Sequence, residues 1–392
     1  MTWTGVEAAA PPELRVVTAN DEIEALIPDW RRLAANVAVS PFSSPDWLVP
    51  WWLAYHGRNE ARVLTFWRQR SLVGVAPLFR RTATGRRARP REIGFWGRTA
   101  TPISGGTDIL VGVTDEEPVV ASFVRWLVDD AEPWDVFHYL RSPTGSRVPA
   151  ALVAAAGGAG WRSLDLTDEL QSLAMTIDLP AAGSEWPGYL GPKARRNIRR
   201  ELRIYGERFD GRIDIDRSPG SSGSVIDDLR RLLAERWGPA ERYFAADPAF
   251  GGFVEAALNR LLAEGSSYVV TASDGAGVQG RLVIIHLNGH AVALLLGLTT
   301  EPRYRTLSLG KALFERAIDE AVAVGCRSFD FLWAGAYKED FWHATGRLHR
   351  SGIVVRGGAG SLVAARVTAR RAGKAARRSL AGLSRRRGGS IS

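Results

Sequence analysis

Cysteine is almost absent: there is one in 392 residues, Cys326. A single thiol closes no internal disulfide, so the sequence points to a reducing compartment, the cytoplasm. Cys326 lies in a helix-to-strand turn and reads as a small buried residue. Histidine is scarce as well. The six are scattered, no cysteine pair accompanies them, and no metal is expected. Apolar runs stay short of the ~18–20 residues that a membrane-spanning helix needs. The opening residues, MTWTGVEAAAPPELRVV, lack a basic and then apolar stretch, so no secretory leader is expected.

Charge is present but unevenly placed. The net charge is +9, and the stretch from Ser361 to Ser392 holds nine Lys and Arg and no acid. The remaining 42 basic residues balance the 42 acidic ones. The high isoelectric point therefore belongs to the tail, which argues against a general nucleic-acid binder. A hydrophobic content of 45% and 14 Trp indicate a folded chain. Its length suffices for two domains, each with a core.

Pattern and punctuation divide the chain into units. Arg15–Thr18 reads as a strand and Asp21–Ala34 as a helix. A second helix begins at Ser44-Pro45-Asp46 and carries Trp47, Leu48, Trp51, Trp52 and Tyr55. Strands follow at Arg62–Arg68, Ser71–Phe79, Arg91–Trp96 and Asp108–Val111, then a helix at Pro118–Asp129. A strand at Trp134–Leu140, a helix at Val148–Ala156 and a strand at Ser172–Leu179 complete an α/β unit. The Gly- and Pro-rich stretch Ala181–Pro192 reads as a link. A basic helix, Lys193–Tyr205, opens the second unit. Its Arg196, Asn197 and Arg200 either recognise an anionic substrate or form a solvated face. A strand, two helices and a hairpin around Asp274-Gly275 come next. The order is that of the first unit, with no residue-by-residue repeat.

The stretch HAVALLLGLTTEPRYRTLSLGKALFERAIDEAVAVG, His290 to Gly325, carries the chemistry. It reads as a strand, a short loop and a helix with Phe314, Ala317, Ile318, Ala321 and Val322 on one face. The first N–H groups of a helix have no partner within it and the macrodipole is positive there, so a phosphate is the natural guest. Arg305-x-x-Ser308-x-Gly310 resembles the R/Q-x-x-G-x-G/A loop with which GNAT acyltransferases cradle the pyrophosphate of acyl-coenzyme A, with Ser308 in place of the first Gly.

The wider set resembles the CelD/BcsL-type GNAT acyltransferases, relatives of the FemAB peptidyltransferases. It comprises Pro41 to Trp47, Val73 to Leu78, Lys193 to Arg200, Asp228 to Trp237, the loop at Arg305 to Gly310, Phe329 to Leu332 and Tyr337-Lys338. The resemblance covers roughly residues 14 to 356. It implies an α/β (α+β) fold of tandem GNAT-like domains, each a mixed, mainly antiparallel sheet flanked by helices. The expected boundaries are 14–180, 181–356 and a basic tail at 357–392.

The resemblance further implies acyl-CoA as co-substrate and acyl transfer to an amine or hydroxyl of a cell-envelope or polysaccharide precursor, lipid-linked saccharides included. The amides of Thr306, Leu307, Ser308, Leu309, Gly310 and Lys311 would hold the pyrophosphate, with Arg305 as counter-charge. An N–H of Leu294 to Leu298 would polarise the thioester. Tyr337 is the expected general acid, or else a capping aromatic of the core. Asp330 and His286 are each a base or a satisfied core group. Lys338 would hold a phosphate, and Trp47 lines a substrate cleft or belongs to the core. Two other readings stay open: a FemAB-like transferase using aminoacyl-tRNA, with Lys193 to Arg203 on RNA phosphates, and a tandem domain that binds a ligand or partner without chemistry.

In the tail, Ala365, Ala369, Ala372, Ala376, Leu380 and Leu383 share one helical face, and Arg366, Arg370, Lys374, Arg377 and Arg378 the other. Charge of this density could hold the chain on the anionic inner membrane face; the other reading is a solvated tail.

Overall fold

A computed structural model describes residues 10–371, except 38–39, 58, 82–89, 100–105, 130–132, 169–172, 182–190, 242, 333–335 and the side chains of Ala336 and Tyr337. The first half runs β1 (Glu13–Val17), α1 (Asn20–Val37), α2 (Pro45–Tyr55), β2 (Asn59–Arg68), β3 (Ser71–Arg81), β4 (Glu92–Phe95), β5 (Leu110–Val111), α3 (Glu116–Asp129), β6 (Val136–Ser142), α4 (Val148–Gly158) and β7 (Arg162–Asp165). After β8 (Leu173–Asp178) and α5 (Pro192–Phe209), the same order returns. It runs β9 (Arg212–Asp216), α6 (Ser222–Trp237), α7 (Phe250–Ala263), β10 (Ser267–Asp274), β11 (Gly277–Leu287), β12 (His290–Leu298), α8 (Leu309–Ala323), β13 (Ser328–Asp330), α9 (Ala336–Trp342) and β14 (Thr345–Leu348). The last strand is β15 (Arg350–Val355).

Two mixed, mainly antiparallel sheets result. The first is ordered β1-β2-β3-β4-β6-β15-β7, with β5 also on β3; the second is β9-β10-β11-β12-β13-β8-β14. Each sheet is completed by a strand from the other side of the chain. Strand β8 sits between β13 and β14, and β15 sits between β6 and β7. A boundary at 180/181 therefore separates the hairpins and helices but not these two strands. Local pattern cannot show the exchange: β8 is an apolar strand in either sheet, and only pairing decides which.

The helices form as their stripes require. Helix α2 is capped by Ser44, whose hydroxyl accepts from the Asp46 N–H at 3.0 Å. Phe314, Ala317, Ile318 and Ala321 of α8 are buried against β10 to β12 and β13, each large one worth roughly 1.5–3 kcal/mol. A shared core joins the halves, with Trp47, Trp51 and Trp52 of α2 packed beside Phe250, Phe253 and Val254 of α7. Trp47 is fully buried, edge-on to Phe42 and Phe253 at 5.2 and 4.7 Å. It belongs to the core and not to a cleft.

A helix spans 357–371. It packs on the first sheet through Val363, Ala364 and Val367, against Val136, Ile353 and Val355. Ala365 and Ala369, expected on its apolar face, are exposed. The β-branched valines, not the alanines, offer enough area to anchor it. The rest of the tail, with Ala372, Ala376, Leu380 and Leu383, lies outside the described residues.

Candidate active site

Strand β12 pairs with β13 in parallel over three positions only: His290 with Ser328, Ala291 with Phe329 and Val292 with Asp330. It then continues to Leu298 on β11 alone. The parallel pairing stops here because β13 ends at Asp330 while β12 runs on. Pairing with β11 skips Leu294, since Ala293 faces Ile284 and Leu295 faces Val283. Such a bulge re-aims backbone groups, and it falls at the start of the strand segment facing the notch.

Helix α8 begins at the mouth of this notch. Ser308 precedes it in the left-handed region, at φ 44° and ψ 38°. A glycine adopts that geometry without cost and a serine at roughly 1–2 kcal/mol. The departure from the glycine pattern is thus absorbed by the same backbone shape. The Ser308 carbonyl accepts from Lys311 and Ala312, the Leu307 N–H is turned onto Tyr304, and the Arg305 N–H onto Pro302. Among the described residues, this leaves the N–H groups of Thr306, Ser308, Leu309 and Gly310 for a guest, a smaller set than the whole loop. The Arg305 and Thr306 side chains are exposed, while Leu307 and Leu309 anchor the loop in the core. A Cβ on Gly310 would lie 2.9 Å from Leu298, so this glycine brings helix and strand together.

The start of α5 faces the start of α8 across a cleft of about 350 Å³. Lys193, Asn197 and Glu201, one helical face at i, i+4 and i+8, line one wall; Ser308, Lys311 and Phe341 line the other. Lys311 Nζ stands 4.4 Å from the centre of the Phe341 ring. Glu201 Oε2 is buried without a hydrogen-bond partner among the described residues. Two lysines, free helix amides and one orphaned acceptor suit a phosphorylated ligand that also carries N–H or O–H groups. Arg196 and Arg200 are exposed and do not line the cleft. The helical period turns Arg196 about 100° away from Asn197 and Arg200 about 60°.

Asp330 stands where β12 and β13 part. Its Oδ1 accepts from the Leu332 N–H at 2.6 Å, and Leu332 itself is held at φ 65°, an uncommon state for a bulky residue. Burial pushes the Asp330 carboxyl up to about 6, against the pull of Lys338, Arg347 and Arg141. Lys338 Nζ donates to the Phe331 carbonyl at 2.7 Å. Burial brings it down to about 8, with Asp330 holding it up. Lys338 therefore bears on Asp330 and does not line the cleft between α5 and α8. Arg141, from the first sheet, is buried and bears on Asp330 across the halves.

His286 is placed elsewhere. It pairs with Ala291, at the closed end of the notch. Its ring lies 5.8 Å from Tyr268, and burial near Arg217 lowers it to about 4. It is partly buried against Tyr268 and does not line the cleft between α5 and α8. The backbone of Tyr337 starts α9, and its side chain lies outside the described residues. Glu201, Phe341 and Arg141 were not singled out in the sequence, and Lys193 entered only as the start of the basic helix. Lys193 and Glu201 share the helical face of Asn197, which was a usable signal; Arg141 reaches Asp330 only through the exchange of strands.

Residues 192–341 match the family model described as an acetyltransferase (GNAT) domain. No curated protein matches the chain in sequence. Among solved structures, FemX is similar with a TM-score of 0.58 at 11% identity, over 87% of this chain and 96% of that one. A conserved protein of unknown function from Bacteroides thetaiotaomicron gives 0.54 at 11% identity, over 87% and 100%. The C-terminal domain of a putative lysylphosphatidylglycerol synthetase from Agrobacterium fabrum gives 0.50 at 14%, over 88% and 95%. Identities this low speak for the fold alone. With the splayed strands and the helix N-terminus at their mouth, residues 192–341 form a GNAT acetyltransferase domain, and the chain as a whole has the fold of a tandem of GNAT-like halves, similar to that of FemX.

Proposed function

We propose that the chain moves an acyl group from acyl-CoA to an amine or hydroxyl of a cell-envelope or polysaccharide precursor, in the manner of the CelD/BcsL-type acyltransferases. The observation that carries this reading is the meeting of the α8 N-terminus, Lys311 and Lys193 around one cleft, with Gly310 of α8 set against Leu298 at the end of β12. The free amides of Ser308, Leu309 and Gly310 would take the pyrophosphate. A strand N–H beyond the bulge would polarise the thioester carbonyl. Asp330, raised toward neutrality, would accept the proton of the attacking amine as the new bond forms and the C–S bond breaks. Tyr337 would return a proton to the leaving thiolate. Lys338 and Arg141 position and charge-balance Asp330.

A second reading, aminoacyl-tRNA as donor, is favoured by one feature: the exposed Arg196 and Arg200 beside the cleft. Titration calorimetry separates the two. CoA should bind the wild type and bind Lys311→Glu at least 10-fold more weakly. Silence with CoA, together with charged-tRNA binding that Arg196→Glu and Arg200→Glu abolish, would favour the second reading.

Membrane attachment through the tail is a further part of the proposal. Among the described residues no helix is long and apolar enough to cross a membrane. Because Ala364 is fully buried, the informative truncation ends at Arg371. Co-sedimentation with anionic vesicles should then fall in low salt without loss of fold; equal binding by both chains would rule the tail out.

A further inference from the structure

The first sheet has a notch of its own. Strand β4 pairs in parallel with β6 over Glu92–Val136, Ile93–Phe137 and Gly94–His138, again three positions. The lane of β4 then breaks and resumes as β5, since both lie on β3. Residues 96–99 and 106–109 lie off the sheet between them. The side chains flanking this break and the end of β6 enclose a cavity of about 70 Å³, room for several water-sized atoms.

Phe79, Phe95 and Trp96 form an apolar wall, and Arg98, His138 and Arg141 supply the polar groups. The His138 Nε2 is buried with no hydrogen-bond partner among the described residues; the Glu92 carboxylate is 3.9 Å away. Burial and the nearby Arg98 and Arg81 keep the ring neutral, down to about 3. Arg141 is fixed in place. Its N–H donates to Ser351 Oγ at 2.8 Å, and its carbonyl stands 3.0 Å from His349 Nδ1. Both partners lie at the exchanged strand β15 or next to it. A Cβ on Gly106, at φ +100°, would sit 1.7 Å from the Arg141 carbonyl oxygen; the backbone at Gly106 is seated directly on this residue.

This notch is not furnished like the donor cleft. The first turn of α3 carries Glu116 and Glu117, after Asp115, and these acids, paired with Arg147 and Arg68, already occupy the helix N-terminus that a phosphate would need. A different ligand suits it, and the cavity faces Arg141, which bears on Asp330. We propose that the notch of the first sheet anchors the acceptor, and that the anchoring group is a small carboxylate or phosphate carried on an apolar, ring-sized body. The body packs on Phe79, Phe95 and Trp96, the anion meets Arg98 and Arg141, and a donor group on the ligand meets His138 Nε2. This rests on the reading of Asp330 as the base of an acyl transfer.

The test uses phenyl phosphate and benzoate as probes, titrated calorimetrically into the full chain, with CoA titrated separately. Leu140→Trp fills the cavity, and Arg98→Ala removes a rim cation whose side chain is exposed. At least one probe should bind the wild type, at least 10-fold more weakly to each variant, with CoA affinity within twofold throughout. No binding of either probe overturns the inference, as does unchanged binding by the folded Leu140→Trp. So does inorganic phosphate competing as well as phenyl phosphate, since the apolar wall would then contribute nothing. Probe binding as expected with no CoA binding would sink the donor reading and leave the pocket standing.

Discussion

The two notches are built alike and furnished oppositely. In each, a parallel pair holds for three positions and then parts, and the last paired residue of the later strand is titratable: His138 in the first half, Asp330 in the second. Each is followed closely by a non-glycine residue in the left-handed region, Arg141 at φ 54° and Leu332 at φ 65°. The helices differ. Helix α3 opens with Glu116 and Glu117, whereas the first turn of α8 has no acid and includes Lys311. Strand β12 is continuous with one bulge; its counterpart is split into β4 and β5, both on β3. Repetition of a fold does not repeat a site, because the electrostatics of one helical turn decide whether phosphate is welcome.

The largest expected effect tests whether only one notch does chemistry. Asp330→Asn should lower turnover on the order of 10²–10⁴-fold, the range of a positioned general base, with CoA affinity little changed. Its rate profile should lose the limb that rises near pH 6. His138→Gln should leave turnover at saturating acceptor within a few-fold. A comparable loss from both would erase the distinction. Tyr337→Phe should cost about 10²-fold if it supplies the proton; a loss of stability with normal turnover would make it a core aromatic.

The second effect is in stability against pH, and the two residues should act with opposite sign. Asp330 is raised to about 6, so between its unfolded value near 4 and 6 the folded state holds more protons. Stability falls as pH rises through that window, by up to about 3 kcal/mol for a shift of some two units. His138 is lowered to about 3. Between 3 and its unfolded value near 6.5 the unfolded state holds more protons, and stability rises with pH. Denaturant melts from pH 3.5 to 7 should show Asp330→Asn removing a falling contribution and His138→Gln a rising one. Slopes that change in the same direction would contradict the assignment.

Much of this was legible in the sequence. The strand, loop and helix from His290 to Gly325 declare themselves by period and capping, and Arg305 to Gly310 lies where a phosphate loop should. Which amides stay free was not legible, because that depends on the turn at Pro302 to Tyr304 consuming two of them. The fate of Trp47 and His286 was not legible either: an aromatic or imidazole at a helical or strand position reads the same in a core as beside a cleft. The exchange of β8 and β15 is a long-range pairing with no local mark. It hid Arg141, whose link to Asp330 exists only because both halves share strands.

Charge at the two helix starts gives the third effect. Lys311→Glu replaces an attractive charge by a repulsive one at the donor cleft, and CoA affinity should fall about 10- to 100-fold at low ionic strength. Glu117→Lys, at the equivalent turn of the first half, should leave CoA affinity unchanged. Glu117 is exposed and, among the described residues, pairs with Arg147 at 3.3 Å. If its reversal raised the apparent number of CoA sites to two, acidity alone would be what closes the first notch. If it did nothing while Lys311→Glu also did nothing, the donor would lie elsewhere.

The smallest effect concerns Ser308, where the second half departs from a glycine pattern. Its φ of 44° costs a serine roughly 1–2 kcal/mol, while a glycine there would lose about 0.5–1 kcal/mol more backbone entropy on folding. Ser308→Gly should therefore change stability by no more than about +1 kcal/mol and preserve CoA binding, since the loop keeps its shape. Ser308→Val places a β-branched side chain at positive φ and should destabilise by about 1–2 kcal/mol or flatten the loop. Thermal melts with and without saturating CoA read both outcomes. If Ser308→Gly weakened CoA binding 10-fold, the hydroxyl itself would be a ligand to the donor. The serine would then be there for chemistry as well as for a backbone shape it merely tolerates.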